Sequence, residues 1–373
     1  MKRLLTFLLV FLFCLPVVLA NVPPENVSPH VILMERDSGK ILFEKDSHSK
    51  HPPASVTKVM TLLLVMEAID SGKIALTDTV TVSDHAASMG GSQVFLSPGE
   101  QMSVNDMLKA TVIASGNDSA VALAEHIAGS EEGFVSLMNE KAKSLGMNET
   151  SFKNCTGLDA DGHLTSAHDI AIMSKELLKH SKIKEYTTIW MDSLRDGAFQ
   201  LANTNKLIRT YKGITGLKTG STSNAKFCLS ASAERDGMEL IAVIMAAPSS
   251  KERFSDATKL LDFGFANYAV YRPEGLALDT LPVKLGDKPE VSLSLEISGS
   301  VLIEKNKIQG IESKISIPTE INAPVEKGQK IGVMTLFSDN ELLMEIPIVA
   351  DESIKKLSVY DIFSLFLDRI FMK

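Results

Sequence analysis

The stretch Pro52-Pro53-Ala54-Ser55-Val56-Thr57-Lys58, followed by the apolar run 59–66, decides the organisation of this chain. Ser55 and Lys58 are three residues apart, which places both side chains on one face of a helix. Prolines at this point favour an extended entry and a helix start. Because the run is apolar on all sides, we expect a helix buried in the core. Burial lowers the pKa of a lysine, so Lys58 could activate Ser55 as a nucleophile.

The Ser-x-x-Lys motif is weakly specific by itself, because it occurs five times in the chain. The copies are Ser47/Lys50, Ser55/Lys58, Ser181/Lys184, Ser223/Lys226 and Ser353/Lys356. Only the copy at Ser55 opens a long apolar run. The alternative is a helix start with a solvated lysine, so the rest of the chain has to decide between the two.

Length and composition indicate an ordinary globular protein. The chain has 373 residues, 45% apolar and 23% charged, which is enough for two domains. Its net charge is −8, and it contains no basic run with interleaved aromatic residues. Nucleic acid is therefore not an expected partner.

The N-terminus has the pattern of an export signal. A short basic start, Met1-Lys2-Arg3, precedes the apolar stretch 4–15, and Ala20 is a plausible cleavage site. The alternative is an uncleaved membrane anchor. Removal of the signal leaves Cys155 and Cys228, which are too few for a disulfide framework. We favour separate buried thiols, although the two cysteines could pair.

The first 130 residues also predict a β-hairpin before the Ser55 helix and two further helices after it. Apolar runs at 31–34 and 41–43 around an Asp-Ser-Gly turn predict a β-hairpin, and residues 104–113 have helical spacing. Ser115-Gly116-Asn117-Asp118 then precedes a run of small apolar residues, which places Ser115 and Asn117 on a short loop between helices. Simple helix capping is the alternative. The Ser-x-Asn pattern recurs at Ser103/Asn105 and Ser338/Asn340.

The glycine-rich stretch 213–221 contains Lys218-Thr219-Gly220, a tripeptide that occurs once. Runs at 227–233 and 240–245 predict two paired strands after it. A phosphate-binding loop is excluded because no glycine directly precedes Lys218.

A metal site is not expected from the histidines. The chain has no His-Glu-x-x-His, and His163 and His168 are too far apart to share a helix face. We interpret these two as loop and cap residues, with a helix starting at Ser166.

Composition changes near residue 271, where short β-rich runs broken by glycine and proline begin. They predict a small antiparallel β domain. Residues 358–373 have a narrow polar stripe at helical spacing. At ~1.5 Å per residue this helix is about 24 Å long, marginal for crossing a bilayer, so we expect it to lie in the membrane interface. Packing on the β domain is the alternative.

Ser-x-x-Lys, Ser-x-Asn and Lys-Thr-Gly occur in the order known from penicillin-binding proteins and class A β-lactamases. Over nearly its whole length the chain resembles the exported D-alanyl-D-alanine carboxypeptidases, the low-molecular-weight penicillin-binding proteins. Further matches are Asn154-x-x-Gly157-Leu158, His163-x-Thr165-Ser166, and Ala247-Pro248 leading to Arg253-Phe254.

The resemblance implies an α+β fold. A β-lactamase/transpeptidase-like catalytic domain, with an antiparallel sheet flanked by helices, precedes a small all-β domain and a C-terminal amphipathic helix. The expected divisions are a signal peptide at 1–20, a serine D,D-peptidase domain at 21–270, a β-rich domain at 271–356 and a membrane-anchor helix at 357–373.

The resemblance also implies a role for each motif residue. Ser55 attacks the carbonyl of a terminal D-Ala-D-Ala peptide, Lys58 is the base, and Ser115 relays a proton to the leaving nitrogen. The backbone N–H groups of Ser55 and Ser221 form the oxyanion hole. The residues expected to bind substrate are Asn117, Lys218, Thr219, Gly220 and Arg253, with Asn117 and Lys218 also counted as catalytic.

The expected partners are peptidoglycan pentapeptide stems, β-lactams as covalent inhibitors, and the membrane surface; no cofactor is expected. The expected location is the outer face of the bacterial cytoplasmic membrane. A β-lactamase is the main alternative, but class A enzymes add Glu-x-x-x-Asn, and Glu149 has Asn154 at five residues. A D,D-endopeptidase and a non-catalytic wall-binding protein also remain.

Overall fold

The computed structural model describes residues 23–273, 278–297 and 301–371, so the predicted export signal lies outside the described residues. The helices are α1 (Lys58–Asp70), α2 (Asp84–Ala87), α3 (Val104–Ile113), α4 (Asn117–Ala128), α5 (Glu131–Ser144), α6 (Ala167–Leu177), α7 (Ile183–Thr187), α8 (Leu207–Thr210), α9 (Ser250–Asn267) and α10 (Val359–Phe371). The strands are β1 (His30–Glu35), β2 (Ile41–Lys45), β3 (Thr79–Thr81), β4 (Gln101–Ser103), β5 (Met191–Leu194), β6 (Phe199–Ala202), β7 (Ile214–Thr222), β8 (Lys226–Arg235), β9 (Met238–Ala247), β10 (Tyr268–Tyr271), β11 (Leu281–Lys284), β12 (Glu290–Val291), β13 (Leu293–Leu295), β14 (Val301–Glu304), β15 (Ile311–Ser316), β16 (Ile321–Asn322), β17 (Lys330–Ser338) and β18 (Glu341–Ala350).

The strands between residues 30 and 247 include a five-stranded antiparallel sheet in the order β2-β1-β9-β8-β7. The predicted hairpin is β1–β2 and the predicted strand pair is β8–β9, so both predictions are confirmed. Strand β9 is buried along nearly its whole length because helices cover both faces of the sheet. This double burial explains its continuous apolar run. Strand β7, which carries Lys-Thr-Gly, lies at one edge of the sheet.

Helices cover the two faces of the sheet. On one face α6 packs against β1 and β9, and α1 packs against α4 and α6; on the other face α9 packs against β8 and β9. Nine of the thirteen residues of α1 are buried, as its apolar run predicts. The helix predicted at 104–113 coincides with α3. Ser166 caps α6 by accepting a hydrogen bond from the Asp169 N–H, which confirms the helix predicted to start there.

The C-terminal part of the chain is rich in β-strands, which confirms the predicted small β domain. It contains a four-stranded sheet, β13-β18-β17-β15, and a three-stranded sheet, β12-β11-β16. Its own hydrophobic core includes Leu281, Val291, Leu336 and Ile348. Strand β10, which follows α9 directly, pairs with β14.

Helix α10 covers residues 359–371 of the predicted C-terminal helix. Tyr360, Phe363 and Phe366 are more than half exposed, so they are not buried against the β domain. Within the described ranges no helix combines the length and the apolar character needed to span a membrane. Contact of α10 with a membrane surface stays a prediction. Cys155 and Cys228 are buried free thiols, so they do not pair in this structure.

Candidate active site

Ser55 lies on a 3₁₀ turn, residues 54–57, that leads directly into α1. Ala54 before it has φ +49°, a conformation that costs a non-glycine residue about 1–3 kcal/mol and therefore needs support from its surroundings. Gly157 and Gly220 provide this support by close packing. A Cβ on Gly157 would lie 1.8 Å from the Ala54 carbonyl oxygen, and one on Gly220 would lie 2.8 Å from the Ser55 nitrogen. Both positions therefore require glycine.

Lys58 is fully buried, and its amine is surrounded by three oxygen atoms. Nζ lies 3.1 Å from Ser55 Oγ, 2.6 Å from Asn117 Oδ1 and 2.8 Å from the Thr156 carbonyl oxygen. Burial lowers the pKa of Lys58 from 10.5 to about 7, while the charges of Cys155 and Asp118 oppose this shift.

These contacts orient the neutral amine. The carbonyl oxygen of Thr156 and Asn117 Oδ1 can only accept hydrogen bonds. The amide of Asn117 is oriented in this way because its Nδ2 donates to the Gly90 carbonyl at 2.6 Å. A neutral amine has two N–H bonds and one lone pair. In the charged form, Lys58 Nζ can donate to all three oxygen atoms; in the neutral form, donation to Asn117 Oδ1 and the Thr156 carbonyl leaves the lone pair for the Ser55 hydroxyl.

The Ser-x-Asn motif lies between α3 and α4, as predicted, although Asn117 is already the first residue of α4. Ser115 has φ +63° and is held at its hydroxyl by Lys218, whose Nζ donates to Ser115 Oγ at 2.8 Å. The backbone N–H of Asn117 donates to the Ser92 carbonyl. The loop that contains Gly90 and Ser92 therefore holds both the side chain and the backbone of Asn117. Sequence reasoning missed this role of the loop.

Lys218 is the second buried lysine of the site. Besides Ser115 it donates to the Thr219 carbonyl at 3.0 Å. Its pKa lies well below the ordinary value because of burial first, and then the charges of Lys58 and Arg253. Three basic groups thus share one buried region beside Gly220 and the Ser55 turn.

Arg253, on α9, lies behind the Lys-Thr-Gly strand rather than free in solvent. Its Nη1 donates to the carbonyls of Gly220 and Cys228 at 3.0 and 3.1 Å, and its guanidinium stacks on Phe254 at 4.7 Å. Arg253 therefore holds β7 against β8, and it adds positive charge beneath Gly220. Direct contact with substrate, which the sequence led us to expect, stays a prediction.

His163 supports the catalytic turn from below. Its Nδ1 accepts a hydrogen bond from the Lys153 N–H at 3.0 Å, so Nε2 carries the proton and donates to Thr57 Oγ1 at 2.8 Å. Burial lowers the pKa of His163 to about 4, which keeps the ring neutral. Sequence reasoning treated His163 only as a loop residue; the signal was its place in the His163-x-Thr165-Ser166 match.

The structure brings the predicted site residues into one connected cluster. Lys58 links Ser55 to Asn117, Lys218 links Thr219 to Ser115, and Gly220 packs on the Ser55 turn. Ser221 follows Gly220 on the same strand. Thr219 Oγ1 also shares a hydrogen bond of 2.6 Å with Thr204 Oγ1, a partner that no sequence motif indicated. The roles of these residues in turnover stay predictions.

A cleft of about 380 Å³ adjoins this cluster, lined by Pro53, Gly157, Asp159, His163 and Asn224 among others. A larger cavity of about 610 Å³ lies between Glu35 and Arg272 and contains none of the motif residues. Neither cavity is lined by Ser55, Lys58 or Lys218, so the candidate site is defined by its hydrogen-bonded cluster rather than by a cavity.

Comparison with known proteins finds similarity over most of the chain. Residues 18–249 match the family described as D-alanyl-D-alanine carboxypeptidase, and residues 271–356 match the C-terminal domain of penicillin-binding protein 5. The chain is 46% identical to D-alanyl-D-alanine carboxypeptidase DacF of Bacillus subtilis, over 95% of each chain.

Solved structures give the same relationship. Penicillin-binding protein 5 of Haemophilus influenzae superimposes with a TM-score of 0.73 at 31% identity, covering 90% of this chain and 99% of that one. Penicillin-binding protein D2 of Listeria monocytogenes, in its ampicillin-bound form, has a TM-score of 0.59 at 30% identity and covers 64% of this chain and 97% of its own. With its buried serine–lysine cluster and its β-rich second domain, this chain belongs to the D-alanyl-D-alanine carboxypeptidase family.

Proposed function

We propose that Ser55 is the nucleophile of a D-Ala-D-Ala carboxypeptidase that removes the terminal D-alanine from peptidoglycan stem peptides. The observation that carries this proposal is the buried Lys58 amine, 3.1 Å from Ser55 Oγ with its N–H bonds directed elsewhere. Because burial lowers the pKa of Lys58 to about 7, its neutral form is accessible near neutral pH. It can therefore accept the proton of Ser55 as the ester forms.

Acylation begins when Ser55 Oγ attacks the carbonyl carbon of the penultimate D-alanine. The developing negative charge on the carbonyl oxygen is stabilised by the backbone N–H groups of Ser55 and Ser221. Gly220 supports this arrangement, since its lack of a side chain lets the β7 backbone approach the Ser55 turn. The product of this step is an ester on Ser55.

The leaving D-alanine nitrogen needs a proton. Ser115 can relay it: its hydroxyl gives a proton to the nitrogen and takes one from the protonated Lys58 amine, so the proton removed from Ser55 leaves with D-alanine. Lys218, which donates to Ser115 Oγ at 2.8 Å, stabilises the alkoxide character that develops during the relay. Water then hydrolyses the Ser55 ester, releasing the shortened stem peptide and restoring the enzyme.

Substrate recognition is assigned to the edge of the sheet. Strand β7 has a free edge beside Ser55, so an extended peptide can add to it by backbone hydrogen bonds. Asn117 is proposed to form a hydrogen bond with the substrate amide, and Thr219 to bind the terminal carboxylate of the substrate. Arg253 and Lys218 supply positive charge for that carboxylate, and Arg253 does so through its place beneath Gly220.

The β-lactamase alternative has less support from the geometry. Asp118 is the carboxylate whose charge acts on Lys58, and its oxygens accept hydrogen bonds from the Val94 and Leu96 N–H groups at 3.0 and 3.1 Å. Such a carboxylate is held as a structural acceptor and is poorly suited to activate water. A β-lactam should therefore form a slowly hydrolysed ester on Ser55 and act as an inhibitor.

The remaining assignments concern location and domain limits. We assign 1–20 to an export signal, 21–270 to the peptidase domain, 271–356 to the β domain and 357–373 to a helix on the membrane surface. The exposed aromatic side chains of α10 support the last assignment, because an amphipathic helix buries such side chains in the interfacial region. The enzyme would then act on the outer face of the cytoplasmic membrane.

Mass spectrometry of the products from a stem pentapeptide tests the activity. Loss of one D-alanine is expected with the full chain, and Ser55→Ala should remove both this product and the covalent adduct with a labelled penicillin. Ser223→Ala, in an exposed copy of Ser-x-x-Lys, is the matched control and should behave like the parent. Equal labelling of Ser55→Ala would place the nucleophile elsewhere.

Two further substrates separate the alternatives. Rapid multiple turnover of a β-lactam, faster than that of the pentapeptide, would favour a β-lactamase. Cleavage of a cross-linked peptide dimer in preference to the pentapeptide would favour a D,D-endopeptidase, which uses the same residues on a different acyl donor.

A further inference from the structure

Three metal-binding side chains from distant parts of the chain meet at the start of α6. His48 follows β2, Glu149 follows α5, and His168 is the second residue of α6. One donor atom from each lies within 4.8 Å of the others, and His48 Nδ1 is 3.6 Å from Glu149 Oε2. None of the three takes part in the catalytic cluster.

These distances suit a tetrahedral metal. Zinc with nitrogen and oxygen ligands at about 2.0–2.2 Å separates neighbouring donors by about 3.4 Å, close to the observed His48–Glu149 distance. The donor distances to His168 are at most 4.8 Å, so these donors have to approach by up to about 1.4 Å. The side chains of His48 and Glu149 are 58% and 25% exposed, which leaves both room to move towards His168.

The frame around the donors is already assembled. Asp169 is fully buried and accepts hydrogen bonds from the Glu149 N–H at 2.9 Å and from Thr150 Oγ1 at 2.7 Å. The N–H of His168 donates to the Ser47 carbonyl at 2.9 Å, which fixes the segment with His48 against α6. The three donors are thus fixed at the backbone before any metal binds.

Asp169 also faces the ring of His168. Its Oδ1 lies 3.4 Å from His168 Nδ1; a proton on Nδ1 directed at this carboxylate would leave Nε2 to coordinate. Two imidazoles and one carboxylate form a ligand set typical of zinc sites with an open fourth position. Calcium and magnesium are disfavoured because they prefer oxygen ligands.

We propose that His48, Glu149 and His168 bind one divalent transition metal ion, with zinc preferred and water as the fourth ligand. The ion would join the β2–α1 segment to α6. The backbone of His51, in this segment, pairs with that of Thr165, and the segment continues to Ser55. A bound ion would therefore stabilise the entry to the turn that carries Ser55. Spacing-based reasoning could not find this site, since its ligands are separated by 101 and 19 residues.

Calorimetric titration with ZnCl₂ tests the proposal on the untagged full chain in detergent after EDTA treatment. We expect one equivalent to bind, and His48→Ala and His168→Ala each to weaken binding at least tenfold, in line with the loss of a ligand. His85→Ala is the matched control, because His85 also contacts a glutamate, Glu131, at 2.8 Å. It should leave the affinity unchanged.

Two readouts make the outcome decisive. Co²⁺ absorption in the visible range should have the intensity of tetrahedral coordination, and zinc should raise the Tm of the parent but not of the two histidine variants. Penicillin labelling of Ser55 in both variants verifies that they fold. Absence of zinc binding to the parent, or unchanged affinity in both variants, would overturn the proposal while leaving the peptidase function untouched.

Discussion

The catalytic half and the C-terminal half of this protein differ in what they bury. Before residue 271 the core contains charged side chains, among them Lys58, Asp118, Lys218 and Arg253. Among the described residues after 270, Ser338 is the buried polar residue. Burying a charge costs free energy unless partners satisfy it. Lys58, Lys218 and Arg253 belong to the candidate site, whereas Asp256 and Glu239 accept structural hydrogen bonds elsewhere. The C-terminal half has an apolar core and presents its special features, the exposed aromatic side chains of α10, at the surface.

Removal of the Lys58 amine should give the largest effect. We expect Lys58→Ala to slow acylation of Ser55 by roughly 10²–10⁴-fold, the usual contribution of a general base. The rate of labelling by a fluorescent penicillin measures it. Lys50→Ala is the control, since Lys50 belongs to another Ser-x-x-Lys copy and is exposed. A loss below tenfold would mean that another group accepts the proton.

A methyl group added at Gly220 should destabilise the protein more than one added at a glycine of the C-terminal part. Its Cβ would lie within 2.9 Å of the Ser55 and Val56 nitrogens and the Pro53 oxygen, so the catalytic turn has to move. We expect Gly220→Ala to lower the free energy of unfolding by about 1–3 kcal/mol. The rate of Ser55 acylation should fall more than tenfold.

Gly310→Ala, in the C-terminal half, is the matched control, because its Cβ would lie 3.9 Å from Ser338 Oγ. Urea unfolding should detect less than about 0.5 kcal/mol of change in this variant. Equal destabilisation by the two substitutions would contradict the contrast between the halves.

The pH dependence should report the pKa of Lys58. Only the neutral amine accepts a proton, so acylation should increase as pH rises through about 7 and then level off. A rate that stays constant between pH 5 and 8 would exclude Lys58 as the base.

Stability should change with pH in the same direction. The folded pKa of Lys58 is about 7 and the ordinary value is 10.5, so between these pH values the unfolded chain binds more protons. The free energy of unfolding therefore rises from pH 7 towards pH 10.5, and Lys218 contributes with the same sign. Lys58→Met should flatten this slope in urea titrations at pH 7 and 9.

Deletion of residues 357–373 should have the smallest effect on the rate. We expect the shortened chain to lose membrane association while its peptidase rate stays within about twofold, because α10 contacts no residue of the catalytic cluster among its described hydrogen bonds. Co-sedimentation with lipid vesicles measures the association. Undiminished binding would show that another surface anchors the protein.

Much of the fold could be predicted from local patterns. The hairpin β1–β2, the buried α1, the exact limits of α3 and the pair β8–β9 follow from apolar periodicity and turn residues. Strand β7 was less obvious, since its glycines and polar residues lack a strand pattern. They serve the close approach to Ser55 instead.

The candidate site divides in a similar way. Three short motifs were sufficient to identify Ser55, Lys58, Ser115, Asn117 and Lys218 as its candidate members. The carbonyls of Thr156 and Gly90, which orient Lys58 and Asn117, could not be predicted, because any residue supplies a backbone carbonyl. The His48–Glu149–His168 cluster escaped for a related reason, as no local pattern joins its members.

By itself, the sequence determined which residues could react and which segments would form helices or strands, because side-chain chemistry and periodicity are local properties. Only the tertiary structure decided that Lys58 is buried, that its amine lies 3.1 Å from Ser55 Oγ, and that Arg253 lies beneath Gly220. Burial and orientation depend on residues far apart in the chain. They set the pKa and the proton path, and so turn a common four-residue motif into a candidate nucleophile.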